Sequence, residues 1–416
     1  MPTRQRVRLG GSLRNRNIRL LWLGTLSSSG GYAMGALAIQ WYLYSQTRSP
    51  GIIGTFAVVE FLPTLAFGLF AGVLVDRFSR KRIMVGADLA RTLMIAMLSI
   101  EVWVFGLNTL LVLVVVGAVA TFTALFRPAS QAILPRLIPE KELPDANGIL
   151  QAGGTTSSLI GYSMGGTLVA LVGIAFALAV DSASFAVSAL LLMGLSFPSV
   201  SPSPPTEGKA TGGWSELLAG LRYLRGSRAL FLMMLTSGVG SFLFPIWETY
   251  MVVYVASGLH LGPAYLGIVF GVSVFSAGLG ALACGRLPTQ KRPGVWAATS
   301  WGISGIGIAS LTLLPPFLIV LALVGTSTFV GQMGYTAWLT GVQRTTPIHL
   351  LGRVLSTETT VSWGLFPVAQ AVGAVLISVV GIPLTYLLVG VDSAAGGFVL
   401  LFSDAVWEWG KSPPTP

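Results

Sequence analysis

Glu60 stands in the apolar run V-V-E-F-L-P, and Glu248 stands in F-P-I-W-E-T-Y. An ionisable side chain in such company is costly and by default functional. A carboxyl group in a poorly hydrated cavity can take up and release a proton near neutral pH. Glu60 is therefore the first candidate for proton exchange and Glu248 the second, a hydrogen bond to a neighbouring helix being the alternative for each. Asp88 and Arg91 are three residues apart, so a helix carries them on one face, where they suit a structural ion pair better than a substrate site. Asp181 and Asp392 read as structural, and Glu101 as a side chain reaching for headgroups. Another concentration of charge is the turn Asp76, Arg77, Arg80, Lys81 and Arg82, wedged between apolar runs that end at Val75 and resume at Ile83. Asp76 follows a helix C-terminus directly, where a carboxylate opposes the helix dipole and calls for a cationic or N-terminal partner.

Other chemistry is missing from the sequence. There is no nucleophile–base–acid set and no G-x-x-x-x-G-K-[ST] loop for a nucleotide. A lone cysteine, Cys284, excludes an internal disulfide and a zinc cluster, and His260 and His349 fall far apart in predicted loops. An enzyme, a metal site and a bound cofactor are not expected.

The elements that must hold these groups are membrane spans. The chain is 53% hydrophobic and only 10% charged, whereas soluble domains carry about 25% charged residues. A span needs about 20 mostly apolar residues. That rule gives twelve, at roughly 20–45, 51–75, 83–105, 109–127, 148–171, 174–195, 229–256, 262–286, 295–314, 316–340, 353–379 and 382–402. The last is the weakest, being interrupted by Asp392, Gly396 and Gly397. Glu60 then sits nine residues into the second span, roughly 14 Å along it, near the middle of the apolar layer. The first span, preceded by six arginines between Arg4 and Arg19, is too long for a signal-peptide core and reads as retained.

Charge orients the spans. Of the 25 Lys and Arg residues, all but Arg48 and Arg91 fall in the tails and the loops of one face. Cytoplasmic loops hold the cations, which places both termini in the cytoplasm, and the expected location is the cell inner membrane. The same distribution accounts for the net charge of +10 and excludes nucleic acid as a partner; lipid is expected instead. Residues 196–213 form a Pro/Ser/Gly linker. The following stretch presents Trp214, Leu217, Leu218, Leu221 and Leu224 as an apolar stripe beside Arg222, Arg225 and Arg228, an amphipathic helix for the inner membrane surface. The expected domains are a six-helix bundle at 1–195, the linker and amphipathic helix at 196–228, and a second six-helix bundle at 229–416.

The bundles repeat one another. Thr123-Ala124 recurs as Thr336-Ala337, Pro135 as Pro347, Gly165 and Leu168 as Gly373 and Leu376, and Val180-Asp181-Ser182-Ala183 as Val391-Asp392-Ser393-Ala394, at offsets of 208 to 213 residues. Parallel repeats about an axis along the membrane normal place a substrate site at midplane between the halves.

The segment G-V-L-V-D-R-F-S-R-K resembles the G-x-L-x-D-R-x-G-R-K signature of the major facilitator superfamily. Gly72, Leu74, Asp76, Arg77, Arg80 and Lys81 match it, and Ser79 replaces a glycine. The resemblance implies an all-α integral membrane protein with twelve transmembrane helices in two pseudo-symmetric six-helix bundles. It also implies that this turn, with Asp88 and Arg91, braces a cytoplasmic gate. Asp76 would pair with Arg91 or with the start of the eleventh span near Gly352 and Arg353. W-S-E-L-L-A-G-L-R-Y-L, P-A-S-Q-A-I-L-P-R-L-I-P, L-G-R-V-L-S and D-S-A-S-F-A-V-S-A-L-L-L look like bacterial macrolide exporters and the enterobactin exporter, a group thought to work by proton antiport.

The fifth span is similar to the antiporter signature at Gly148, Gly161, Gly165 and Gly166, glycines that would pack helices closely. Ser157 and Tyr162 depart from that signature. The first span lacks the group's acid after Ser28-Ser29-Gly30, and the fourth lacks its arginine, so coupling does not carry over by resemblance alone. In this fold the cavity-lining spans would offer Tyr32, Gln40, Trp247, Gln332, Tyr335, Trp338 and Trp363, an aromatic set suited to an amphipathic or cationic small molecule. The expected function is proton-coupled export of such a molecule by a monomer through alternating access. An importer or facilitated carrier of a nutrient or lipid, and a non-transporting sensor, remain open on the same fold.

Overall fold

The computed structural model describes residues 12–68, 78–106, 108–139, 142–196, 222–238 and 242–409, and all regular structure among them is helical. The first half holds α1 (Arg16–Thr47), α2 (Pro50–Gly68), α3 (Arg80–Val104), α4 (Thr109–Ile133), α5 (Leu143–Val172) and α6 (Ile174–Met193). The second half holds α7 (Arg228–Gly238), α8 (Pro263–Cys284), α9 (Pro293–Ser310), α10 (Phe317–Thr345), α11 (Ile348–Gly364) and α12 (Phe366–Val399). Among the described residues six helical stretches are long and apolar enough to cross a membrane, the last being Leu350–Phe402, and Pro50–Ala66 is a shorter apolar helix.

The helices start and stop where local chemistry dictates. The Asn108 side chain accepts a 3.1 Å hydrogen bond from the Leu111 N–H and satisfies one of the orphan donors at the start of α4. Proline, which has no N–H to lose, sits in the first turn of α5, α8 and α9. Six described residues have positive φ: Arg48, Gly106 and Gly173 in the first half, and His260, Leu314 and Gly381 in the second. They fall in equivalent turns of the two repeats. Gly173 (φ 84°, ψ 170°) and Gly381 (φ 78°, ψ 174°) have almost the same backbone conformation. The repeat written in the sequence is thus also a repeat of turn geometry.

Two spans differ from expectation. The seventh is not one helix over 229–256. α7 is described as far as Gly238, residues 242–244 form a turn, a short helix Pro245–Thr249 follows, and the turn Tyr254–Gly258 is a π-helix, with the Leu259 N–H on the Tyr254 carbonyl at 2.9 Å. Pro245 cannot donate the backbone bond that a continuous helix requires there. The eleventh span is likewise jointed, α11 ending at Gly364, and its second part runs into the twelfth through Gly381 within α12.

The chain forms two compact units. The first comprises Met1–Gln46, Val59–Gly208 and Pro263–Ile268, and the second Thr47–Val58, Lys209–Gly262 and Val269–Pro416. In the first unit α3 packs on α6 and α4. A Cβ at Gly161 of α5 would strike the Gly30 carbonyl of α1, and one at Gly165 would come within 3.0 Å of the Met34 Cα. In the second unit α9 packs on α10 and α12, with Gly305 against Gly390 and Ala394, and Gly302 against Gly397. Small residues let backbones touch where the hydrophobic effect between helices is weak. The linker at 197–221 lies outside the described residues. Residues 222–226 of the expected amphipathic helix are helical, with Leu224 buried and Arg222 and Arg225 exposed.

Candidate functional site

The most heavily built polar site lies inside the first unit. The Arg91 guanidinium donates to Asp88 Oδ1 from one nitrogen and toward Thr123 Oγ1 of α4, at 3.4 Å, from another. It lies 4.7 Å from the ring centre of Phe126 and 4.5 Å from that of Phe185. Two ring faces compensate part of the hydration that the cation has lost. Asp88 Oδ2 accepts from Ser188 Oγ of α6 at 2.6 Å. The expected ion pair exists, and it is buried, Asp88 and Arg91 being 0% and 3% exposed. Both carboxylate oxygens are engaged, as a buried pair requires if attraction is to offset desolvation.

Asp181 of α6 is also buried, in a cradle made by α1, where a Cβ at Gly31 or Gly35 would press on its side chain. Its Oδ1 has no hydrogen-bond partner among the described residues, and it is electrostatically coupled to Arg91. Sequence reading gave this aspartate a structural role and missed the cradle. Its signal was the acid's register with Gly31 and Gly35 across two helices.

Half-buried Glu60 accepts a hydrogen bond from the Tyr32 hydroxyl of α1, so a proton candidate and a cavity candidate meet. Glu248 is exposed on the short helix Pro245–Thr249, while its neighbour Trp247 is buried. Around that break Tyr386 donates to the Trp247 carbonyl at 3.0 Å, Tyr250 to the Gln370 carbonyl at 2.6 Å, and Tyr254 to the Leu311 carbonyl at 2.9 Å. Asp392 Oδ2 accepts from the Leu243 N–H at 3.0 Å. Of the remaining cavity candidates, Gln40 and Gln332 are half-buried and Tyr335 and Trp363 exposed. Trp338 is buried in the core with Met233, Ala297 and Val342. Glu358, absent from the sequence-based candidates, is nearly buried on α11, accepts from Ser362 Oγ at 2.8 Å and is electrostatically coupled to Tyr335.

Of the gating candidates, Gly72, Asp76 and Arg77 lie outside the described residues, and so does any pairing of Asp76. Arg80 is half-buried at the start of α3. Lys81 Nζ donates to the carbonyls of Met193 and Leu195, both at 2.6 Å. The cation thus caps the C-terminal end of α6, where the helix dipole favours it. In the packing motif Gly161 and Gly165 meet α1 and Gly166 meets Pro263, whereas Gly148 has nothing within 4 Å of a built Cβ.

Comparisons with known proteins agree on the class. The Major Facilitator Superfamily profile matches residues 21–369. The multidrug efflux pump Tap of Mycobacterium tuberculosis is 25% identical over 404 residues, 95% of each chain. Macrolide efflux protein A of Streptococcus pyogenes is 24% identical over 380 residues, 89% of this chain and 91% of that one. The crystal structure of the nucleoside transporter NupG superposes with a TM-score of 0.72 at 14% identity, over 93% of this chain and 99% of that one. The shared fold is the all-α, twelve-span fold expected from the sequence.

Proposed function

Since this chain belongs to the Major Facilitator Superfamily, we propose that it exports amphipathic small molecules, drugs or siderophore-like metabolites, across the inner membrane by alternating access coupled to protons. The observation that carries this reading is the match along 95% of the chain to a multidrug efflux pump. Two six-helix bundles, 1–195 and 229–416, would move about a midplane site as a monomer, with both termini and the linker in the cytoplasm. The turn at Gly72, Asp76, Arg77, Arg80 and Lys81 would hold the cytoplasmic side closed. Tyr335 and Trp363 would offer aromatic faces to substrate.

The proton carrier in this reading is Glu60. Its hydrogen bond with Tyr32 supports the assignment, because a donor beside a mid-span carboxyl makes the bonding of that pair depend on protonation. One proton exchanged per cycle would supply about 2.3 kcal/mol per 100 mV of membrane potential. Glu248 is the second carrier candidate. The test is uptake of a cationic dye into inverted membrane vesicles energised with an inward-acidic gradient. Proton-dependent uptake is expected. Accumulation only in right-side-out vesicles would instead mark an importer, and no movement of any substrate a sensor.

A further inference from the structure

Asp88, Arg91 and Asp181 are 0%, 3% and 2% exposed. Arg91 lies over the ring of Phe185, one turn along α6 from Asp181, and Ser182 Oγ donates to the Thr92 carbonyl beside Arg91, so two buried carboxyl groups flank one buried guanidinium. Were both ionised, the cluster would carry an uncompensated negative charge, and the effective penalty for burying an ion is several kcal/mol. Asp88 is fully engaged by Arg91 and Ser188. Asp181 is not, since its Oδ1 lacks a hydrogen-bond partner among the described residues. The equivalent acid of the second repeat makes the contrast sharp: Asp392 Oδ2 takes the Leu243 N–H. An unbonded oxygen on a buried acid costs least when the acid is neutral.

We propose that Asp181 binds one exchangeable proton, and that Arg91 is shared between Asp181 and Asp88, so that the cluster is a proton site in its own right. With the proton on Asp181 the cluster is neutral and Arg91 rests on Asp88, the arrangement observed. Loss of that proton draws Arg91 toward Asp181, leaving Asp88 to its Ser188 bond and to the proton's return. Only an O–H bond forms or breaks. The charged and titratable groups around Asp181 are Arg91 and Asp88 from α3 and Tyr32 from α1. Tyr32 is coupled in turn to Glu60 of α2 and Tyr162 of α5. For its part in transport this inference rests on the proton-exchange reading above.

Infrared difference spectroscopy of the solubilised full-length protein at neutral pH tests the site without any transport. Asp181→Asn, which has the shape of the protonated acid, should fold and should remove a carboxylic-acid C=O band that Glu60→Gln leaves in place. Asp88→Asn should remove the same band, because Arg91 then takes Asp181 as its counter-ion. The double variant Asp88→Asn/Asp181→Asn strands Arg91, and its melting temperature should fall further than the two single shifts combined. A band that survives in Asp181→Asn or in Asp88→Asn overturns the site. So does additivity of the two shifts. Should the band behave as expected while uphill efflux by Asp181→Asn keeps its pH dependence, the proton site stands and its role in coupling falls. The coupling carrier would then be sought at Glu60 and, after it, at Glu248.

Discussion

At the scale of single residues, the chain places most of its polar risk in the first unit. Tyr32 and Glu60 are joined directly, so each should be needed for the other's behaviour. Glu60→Gln mimics the protonated acid. It is expected to abolish uphill efflux while preserving substrate binding, measured as substrate-quenched tryptophan fluorescence beside vesicle transport. Uphill pumping by Glu60→Gln with an unchanged pH profile would move the carrier elsewhere, Glu248 being next to test. Tyr32→Phe removes only the donor. It should cost about 1 kcal/mol of stability and alter the pH profile of efflux without abolishing transport.

Helices and turns respond to different forces. Lys81 caps α6 through the Met193 and Leu195 carbonyls, and Lys81→Met should cost about 1 kcal/mol, seen as a lower melting temperature in detergent. The turns at Gly173 and Gly381 hold φ of 84° and 78°. With ψ of 170° and 174° both lie in a region that side-chain-bearing residues hardly adopt, at a cost of about 1–3 kcal/mol, so Gly173→Ala and Gly381→Ala should each lower the melting temperature by a similar amount. Glycines inside α5 divide by surroundings. Gly161→Ala collides with the Gly30 carbonyl and should disrupt packing. Gly148→Ala meets open space and should gain roughly 0.8–1 kcal/mol of helix propensity. Equal effects of those two alanines would contradict the close approach of α5 to α1.

Topology governs the whole molecule. The distribution of Lys and Arg predicts that both termini and the linker face the cytoplasm. In a Cys284→Ser background, single cysteines at Ser203 and Thr415 should resist membrane-impermeant thiol reagents in intact cells and react after permeabilisation. Labelling of either from outside would overturn the twelve-span orientation. The repeat shows at this scale as well, because equivalent turns carry positive φ at Arg48 and His260, Gly106 and Leu314, and Gly173 and Gly381.

Length, hydropathy and charge determined that this is a polytopic helical membrane protein, and the internal repeat and the D-R-x-x-R-K turn determined its class. Those signals are local, and a backbone that must satisfy its own hydrogen bonds in lipid leaves few alternatives to a helix. Which helix faces meet was decided only by the tertiary structure. Along α3 the exposed face carries Leu93, Met97 and Ile100, and the buried face carries Ile95, Leu98 and Val102 beside Asp88 and Arg91. A helix apolar all round has no amphipathic period to reveal its inner side. The sequence therefore offered Asp181 as one acid among several. Only the fold set it against the glycines of α1 and one turn from Phe185, over whose ring Arg91 lies, because that meeting depends on the rotation and packing of three helices far apart in the chain.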